Sequence, residues 1–141
     1  MRNFVFFCSD RGNCYFYGYN ATRTSMWQIT NITDPIDIQA IDNQSVGFNL
    51  SAWLGGFLNQ NDYVLVSLTF FNQTFDQINN QTNLPVVRSS DRQSITKLVF
   101  RSVTDRVPAS TRFLKVTVEI IFDAVYWNNG YVDNIALVLF K

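Results

Sequence analysis

Apolar and polar residues alternate with a period of two along most of the chain. Residues 48–52, 63–71 and 113–123 are apolar at every even position. This period is typical of β-strands with one buried face, whereas an amphipathic helix repeats every 3.6 residues. Further strands are predicted at residues 15–19, 26–30, 36–41, 95–103 and 134–140.

Turn-forming residues separate these segments, and no segment carries a convincing helical pattern. Residues 72–83 are low in complexity, and we expect an exposed loop there. About eight short strands without a helix predict an all-β fold. The architecture that fits best is an antiparallel β-sandwich of jelly-roll type.

The composition predicts one domain in which most acid–base chemistry is missing. The chain has 141 residues, with eleven basic and eleven acidic side chains, so its formal net charge is zero. A nucleic-acid binder carries a basic surface, so nucleic acid is not an expected partner. Histidine is absent, which excludes a Ser-His-Asp triad, a Cys-His pair and a His-ligated zinc.

The acidic residues give little support to a glycoside hydrolase. Glu119 is the single glutamate, and Asp123 lies on the same face of its predicted strand, about 13 Å away by strand rise. Hydrolytic carboxylate pairs stand roughly 5–9.5 Å apart. We expect no enzyme activity unless folding brings another aspartate close to Glu119.

Asparagine-linked glycosylation is the strongest motif signal in the chain. The composition would place about two Asn-x-Ser/Thr sequons by chance, whereas the chain has six. An N-glycan must face solvent and is added in the secretory pathway, so we expect an extracellular, secreted glycoprotein. The predicted acceptors are Asn20, Asn31, Asn43, Asn49, Asn72 and Asn80.

The two cysteines enclose a short polar loop. Cys8 and Cys14 are separated by Ser-Asp-Arg-Gly-Asn, and in an extracellular chain such a pair predicts a disulfide. Two reduced thiols are the alternative. No apolar run reaches 18 residues and no signal peptide is recognisable. We therefore expect no transmembrane segment, and a chain that is a processed segment of a secreted protein.

The order of several short segments resembles the galactose-binding-domain-like jelly rolls of secreted surface proteins. The resemblance covers about residues 36–141 and implies an eight-stranded sandwich that binds glycans or serves as a structural module. The segments that carry it are FNLSAWLGG (48–56), QND (60–62), SDR (90–92), FRS (100–102), VPASTR (107–112) and GYVDN (130–134).

The same resemblance implies that Asp133 lies near a structural calcium or at the edge of the ligand site, and Asp62 is the second calcium ligand that the sequence itself nominates. Calcium requires six to eight oxygen ligands, and the residues nominate only these two. The alternative is that Asp133 caps the turn at Asn129 and Gly130 through hydrogen bonds. No other cofactor is expected.

The N-terminal residues depart from the jelly-roll pattern. We divide the chain into an arm, residues 1–25, and a sandwich, residues 26–141. The arm carries Phe4, Val5, Phe6 and Phe7, the cysteine loop and an aromatic run at 15–19. It could pair with its own sandwich as an edge strand, or add to the sheet of a neighbouring copy. All six sequons lie within residues 20–82, so residues 1–19 of the arm are left bare for contacts.

Two functions follow from these features. The first is a structural subunit of an extracellular glycosylated filament or coat, in which the arm binds the next copy head-to-tail. The alternative is a carbohydrate-binding, lectin-like module whose aromatic surface comprises Trp53, Trp127 and Tyr131. The expected partners are copies of the chain, covalent N-glycans and carbohydrate ligands.

Overall fold

The computed structural model of the chain describes residues 14–34, 36–123 and 127–141, together with the backbone of residues 3–6. Two antiparallel sheets face each other in a jelly-roll β-sandwich, which confirms the predicted fold class. Sheet I is formed by β1 (Asn3–Phe6), β2 (Phe16–Tyr19), β4 (Gly47–Gly56), β7 (Lys97–Arg106) and β9 (Asn128–Phe140). Sheet II is formed by β3 (Arg23–Asn31), β5 (Tyr63–Phe71), β6 (Gln77–Asn83) and β8 (Phe113–Ile121).

The strand order places β9 and β4 in the middle of sheet I, with β7 at one edge. The other edge is shared, because β1 pairs with residues 135–138 of β9 and β2 pairs with residues 128–132. Sheet II runs in the order β3, β8, β5, β6. The sandwich thus has one side edged by β2 and β3 and another edged by β7 and β6.

The core lies between the sheets and follows the period-two pattern. Inward side chains of β4, β5 and β8 come from the even positions that the sequence singled out. Each such side chain contributes roughly 1.5–3 kcal/mol when it is fully buried. Members of these strands that are at most 2% exposed include Phe48, Leu50, Leu54, Val66, Leu68, Leu114 and Ile120.

A short helix, α1 (Ile38–Asp42), replaces the strand predicted at residues 36–41. Asp37 begins it, because its side chain accepts a hydrogen bond from the backbone N–H of Gln39 at 3.1 Å. Ala40 and Ile41 are buried and hold the turn against the core. The predictions of a strand here and of a helix-free fold are therefore wrong.

The Asn- and Gln-rich segment also differs from the prediction. Its second half forms β6, which pairs with β5 along the edge of sheet II, so the prediction of a loop throughout 72–83 is wrong. Only Ile78 and Thr82 of this strand are half-buried. Because it is an edge strand with few apolar residues, β6 lacks the alternation that marks buried strands.

The N-terminal strands pair with the same chain. Phe4, Val5 and Phe6 lie opposite Leu137, Ala136 and Ile135 of β9, which is the edge-strand arrangement. Phe7 lies outside the described residues, and the division of the chain at residue 25 stays a prediction. Within the described part, no helix is long and apolar enough to cross a membrane.

The predicted disulfide is absent from what the structure describes. Cys14 is exposed and forms no disulfide with a described residue, and Cys8 lies outside the described residues. A Cys8–Cys14 bridge therefore stays a prediction from the loop spacing and from the expected extracellular setting.

Candidate functional site

The outward face of sheet I carries a group of aromatic side chains. On β4, Ala52 and Leu54 face the core, so Trp53 between them faces outward. Trp53 lies opposite Phe100 of β7, with ring centroids 5.5 Å apart. On the other side it lies opposite Asp133 of β9.

Five rings continue this surface along the β2–β9 edge. We call them the aromatic row: in spatial order Tyr131, Tyr15, Tyr17, Tyr19 and Trp127. Neighbouring ring centroids are 4.6, 6.3, 5.9 and 5.2 Å apart in that order. All except Tyr131 are 47–58% exposed. A continuous exposed apolar surface of this kind marks an interaction site.

The local sequence explains how the row forms. Tyr15 immediately precedes β2, and Tyr17 and Tyr19 lie on it. The three alternate in sequence and their rings are adjacent in turn, and Tyr17 is directly opposite Tyr131. Gly18, between Tyr17 and Tyr19, faces the side chain of Asn128 on the opposite face of the strand. A Cβ at this glycine would lie 2.2 Å from Cγ of Asn128, so only glycine lets β2 approach β9 here.

Asn128 is anchored where it meets Gly18. Its side chain is buried, and Nδ2 donates to the carbonyl oxygens of Ala21 and Ile120 at 3.0 and 3.1 Å. One amide thereby joins the segment after β2, the end of β8 and the start of β9. The Gly18 and Asn128 pair holds the row in place.

Tyr131 is the buried end of the row. Burial, with a hydrogen bond and a Coulomb contribution from Tyr15, raises the pKa of Tyr131 to about 12. The hydroxyl therefore stays protonated at physiological pH. Tyr131 can donate or accept a hydrogen bond beside the exposed rings, and it adds no charge to them.

Arg92 supports the loop that follows β4. It is fully buried, and burial lowers the pKa of its guanidinium from the usual value. Its nitrogens donate to four backbone carbonyls at 2.6–2.8 Å, those of Gly56, Leu58, Gln60 and Ile95. The resemblance included this residue in the SDR segment, but nothing in the sequence identified its role.

The two aspartates of the proposed calcium site have separate roles. Asp62 is buried and accepts hydrogen bonds from the backbone N–H groups of Asp123 and Asn129 at 2.6 and 2.9 Å. It therefore caps the Asn129 turn that the sequence assigned to Asp133. Asp133 is buried on the outward face, and its Oδ1 accepts from the N–H of Asn134 at 2.8 Å.

Across residues 14–34, 36–123 and 127–141, no three acidic or cysteine side chains come together as a metal would require. A structural calcium at Asp133 therefore rests on the resemblance alone.

The two carboxylates weighed for hydrolysis are each engaged with an arginine. Glu119 accepts hydrogen bonds from Arg23, and Asp123 lies 2.9 Å from Nη1 of Arg88. Glu119 projects from the outward face of sheet II, because its neighbours Val118 and Ile120 face the core. It therefore lies on the opposite sheet from the aromatic row.

The predicted glycosylation sites are spread over loops and strands. Asn20, Asn31, Asn43 and Asn80 are exposed, and Asn49 and Asn72 are half-buried. Asn31 and Asn72 each accept hydrogen bonds from the backbone and the hydroxyl of their own sequon threonine. Asn49 faces outward from β4, where its Nδ2 donates to Thr104 at 2.7 Å. Glycosylation itself stays a prediction.

The structure brings the three predicted glycan-binding residues to one face. Trp127 and Tyr131 belong to the aromatic row, and Trp53 is diagonal to Tyr131 across the β4–β9 pair. The sequence missed Tyr15, Tyr17 and Tyr19 as members, because their run was assigned to the arm. The period of two within residues 15–19 was the signal that could have identified them.

Comparison with known proteins identifies a fold and no family. No protein-family model and no curated protein matches the sequence. A solved structure of tailspike protein 4 from bacteriophage CBA120, its enzymatically active domain, aligns with a TM-score of 0.54 and 16% identity. The match covers 84% of this chain and 14% of that one, so the chain spans a small part of the tailspike's length.

Two more distant structures are carbohydrate-binding modules. Module CBM61, in complex with β-1,4-galactotriose, aligns with a TM-score of 0.48 and 14% identity, covering 87% of this chain and 67% of that one. The CBM22-1–GH10 modules of Clostridium thermocellum xylanase 10B, with xylohexaose, align with a TM-score of 0.44 and 8% identity, covering 65% and 16%. At these scores the similarities add nothing about function.

Proposed function

We propose that the chain is an extracellular, non-catalytic module that binds neutral carbohydrate through the aromatic row. The observation that supports this is the row itself, five adjacent rings of which four are about half exposed. Sugar rings present C–H groups on their faces, and aromatic rings bind such surfaces while the phenol hydroxyls hydrogen-bond to the sugar hydroxyls. Tyrosine and tryptophan are therefore well suited to this ligand.

The charge of the surface favours an uncharged sugar. The outward positions of β4 and β9 beside the row are Trp53, Gly55, Tyr131 and Asp133. Asp133 is the only charged residue among these four, so they offer no cation to pair with an acidic sugar. Because Asp133 is buried, its carboxylate presents little charge at this surface.

The shape of the row favours a flexible chain over a flat solid. Adjacent ring planes are inclined by 45–82°, so the rings do not form one plane. From Tyr15 to Tyr19 the strand extends about 13 Å, which offers room for several sugar units. We expect soluble oligosaccharides to bind and crystalline polysaccharide to be retained poorly.

The test is a glycan array followed by calorimetry on the best ligand. Trp127→Ala and Tyr17→Ala should each weaken binding about tenfold, which corresponds to about 1.4 kcal/mol. Trp27→Ala is the matched control, because Trp27 is 60% exposed on β3 of the other sheet. A blank array, or equal losses in all three variants, would overturn the proposal.

The extracellular setting of the proposal is supported by the six sequons. Expression with a secretion signal in a glycosylating cell, followed by intact mass before and after glycan removal, tests it. We expect several occupied sites. An unmodified mass would remove this support while leaving the row's binding test intact.

Filament assembly by exchange of the N-terminal strand is the second candidate, and it rests on the sequence, because β1 pairs with β9 of the same chain in the structure. β1 is short, at the edge of sheet I, and separated in sequence from the next strand of the same edge. Exchange between copies would use the same register on the β9 of a neighbour. Deletion of residues 1–14 should abolish large assemblies in electron microscopy, and assemblies that persist would reject exchange.

A further inference from the structure

An amide-rich cleft lies on the opposite side of the sandwich from the aromatic row, between β6 and the end of β7. Its volume is about 510 Å³, within the usual range of small-molecule sites. The walls carry three amide side chains, Gln44, Asn79 and Gln81, with Asn80 beside them. Asp105 and Arg106 form the facing rim.

A bulge in β6 places these amides at the cleft. Leu68 pairs with Thr82 and Phe70 pairs with Ile78, so one residue of β5 faces three residues of β6, 79–81. The extra residues leave the regular ladder and line the cleft. Bulges of this kind commonly redirect side chains next to binding sites.

The backbone has a left-handed conformation at one residue in each wall of the cleft. Gln44 and Asn79 have φ angles of 59° and 56°, in the left-handed region that residues other than glycine rarely adopt. Such conformations persist where surrounding structure imposes them and they concentrate at ligand sites. Here they occur on two separate segments that line one cleft.

On the rim, the guanidinium of Arg106 has more donor groups than the one side-chain hydrogen bond that it makes among the described residues. Arg106 makes one side-chain hydrogen bond in the described structure, from Nη1 to the carbonyl of Gln44 at 3.3 Å, and no carboxylate of the described residues forms an ion pair with it. Asp105 accepts from the backbone N–H of Arg106. The two opposite charges cancel, so the cleft suits an uncharged ligand rich in hydroxyl groups.

We propose that this cleft is a second saccharide-binding site, distinct from the aromatic row, that binds by hydrogen bonding. Phe48 and Phe70 at its back are almost fully buried, so stacking contributes little. Amide, carboxylate and guanidinium groups together supply both donors and acceptors for neighbouring hydroxyls. The site does not depend on the function proposed for the row.

The saccharide has two potential sources. Asn80 is a predicted glycosylation site in the wall itself, so the first sugars of its own glycan would lie at the cleft. A free oligosaccharide presents the same chemistry. The experiment must therefore identify the site first and the source second.

The site is tested on protein made without N-glycans, with di-N-acetylchitobiose, cellotriose and maltotriose as probes. We expect at least one probe, at millimolar concentration, to shift the side-chain amide signals of Gln44, Asn79 and Gln81 in nuclear magnetic resonance spectra. Arg106→Ala should weaken that binding about tenfold, as expected for one charged hydrogen bond. Ser102→Ala, on the outward face of the same strand, is the control and should change nothing.

Two results would overturn the cleft proposal, and both differ from those that would overturn binding at the aromatic row. No shift at the cleft amides with any probe overturns this proposal, as does an equal loss in Arg106→Ala and Ser102→Ala. Tyr17→Ala should abolish binding at the row and leave the cleft signals unchanged. If Tyr17→Ala also removes the cleft shifts, the cleft is not an independent site and the proposal is wrong.

The source is then identified in protein made with N-glycans. If the attached glycan is the ligand, chitobiose should no longer bind, and Thr82→Ala, which removes the sequon and keeps Asn80, should restore binding. Thr82 also lines the cleft, so Thr82→Ala made without N-glycans is the control and should bind chitobiose as the parent protein does. If the ligand is a free saccharide, the same probe should bind with and without the sequon. Either result supports a saccharide site and assigns its source.

Discussion

The two sides of the sandwich differ in the side chains that their edge strands carry. The β2–β9 edge carries the aromatic row, in which ring contacts cover much of the strand. The β6–β7 side carries amides that a bulge turns outward. The first surface suits stacking and the second suits hydrogen bonding. If both proposals hold, the two surfaces make two kinds of sugar contact, one set by the alternating tyrosines and the other by the bulge in β6.

The largest expected effect is on the loop that follows β4, from Arg92→Met. The substitution removes the donor of four backbone carbonyls, of which that of Gly56 is buried and the other three are partly buried, and an unsatisfied buried polar group costs about 1–3 kcal/mol. We expect the free energy of unfolding to fall by about 4 kcal/mol or more, measured by urea denaturation. Arg88→Met, at a half-exposed arginine, is the control and should cost less than 1 kcal/mol.

The second largest effect is expected from Gly18→Ala, which changes only the β2–β9 edge that carries the aromatic row. The added methyl group would overlap the anchored side chain of Asn128, and overpacking costs about 1–3 kcal/mol. We expect about 3 kcal/mol of destabilisation together with weaker glycan binding at the row. The cleft signals should be unaffected. If Gly18→Ala is as stable as the parent protein, the close contact of β2 with β9 is not as described.

The third prediction concerns Tyr131 at alkaline pH. Its pKa is raised from 10.0 to about 12, so between these values the unfolded chain loses a proton that the folded chain retains. The folded state binds more protons in that window, and stability therefore falls as the pH rises from about 10 to 12. We expect this group to contribute about 1–2 kcal/mol of the loss.

Tyr131→Phe provides the comparison for that titration, because it removes this hydroxyl and keeps the ring. Unfolding free energies of both proteins are measured between pH 9 and 12. The parent should lose more stability than the variant across this window. Parallel curves would contradict the burial of the Tyr131 hydroxyl.

The smallest effect is expected at the cleft, from Asn79→Ala. Asparagine tolerates the left-handed conformation better than alanine does, so we expect a loss of about 1 kcal/mol. Asn79→Gly should restore or exceed the parent's stability, as judged by thermal unfolding. A loss with glycine as large as that with alanine would mean that side-chain contacts, and not backbone conformation, matter at this position.

The sequence predicted the buried part of the fold well because burial imposes a visible period. β5 and β8 have one face in the core, and their even positions are apolar. α1 was missed because its five residues are too short for a helical period and depend on the Asp37 cap. β6 was missed because its pairing with β5 does not require apolar side chains.

Only part of the candidate site was predicted, and the reason differs from that for the fold. Trp53, Trp127 and Tyr131 were chosen as aromatics near predicted turns, and the structure brings them to one face. The three tyrosines of β2 were missed because their position follows from pairing with a strand far away in the sequence. Arg92 was missed because its partners are backbone carbonyls, which no residue pattern marks.

The aromatic row also has a consequence for how the protein is made. Tyr17 meets Tyr131 from roughly 110 residues away in the chain, and contacts of such long range are slow to form. During synthesis β2 emerges early, and β9 emerges after the other strands of the sandwich. Until β9 is available, the aromatic residues of β2 are exposed on an unpaired strand, so the surface proposed to bind ligand is open to unwanted association while the chain is being made.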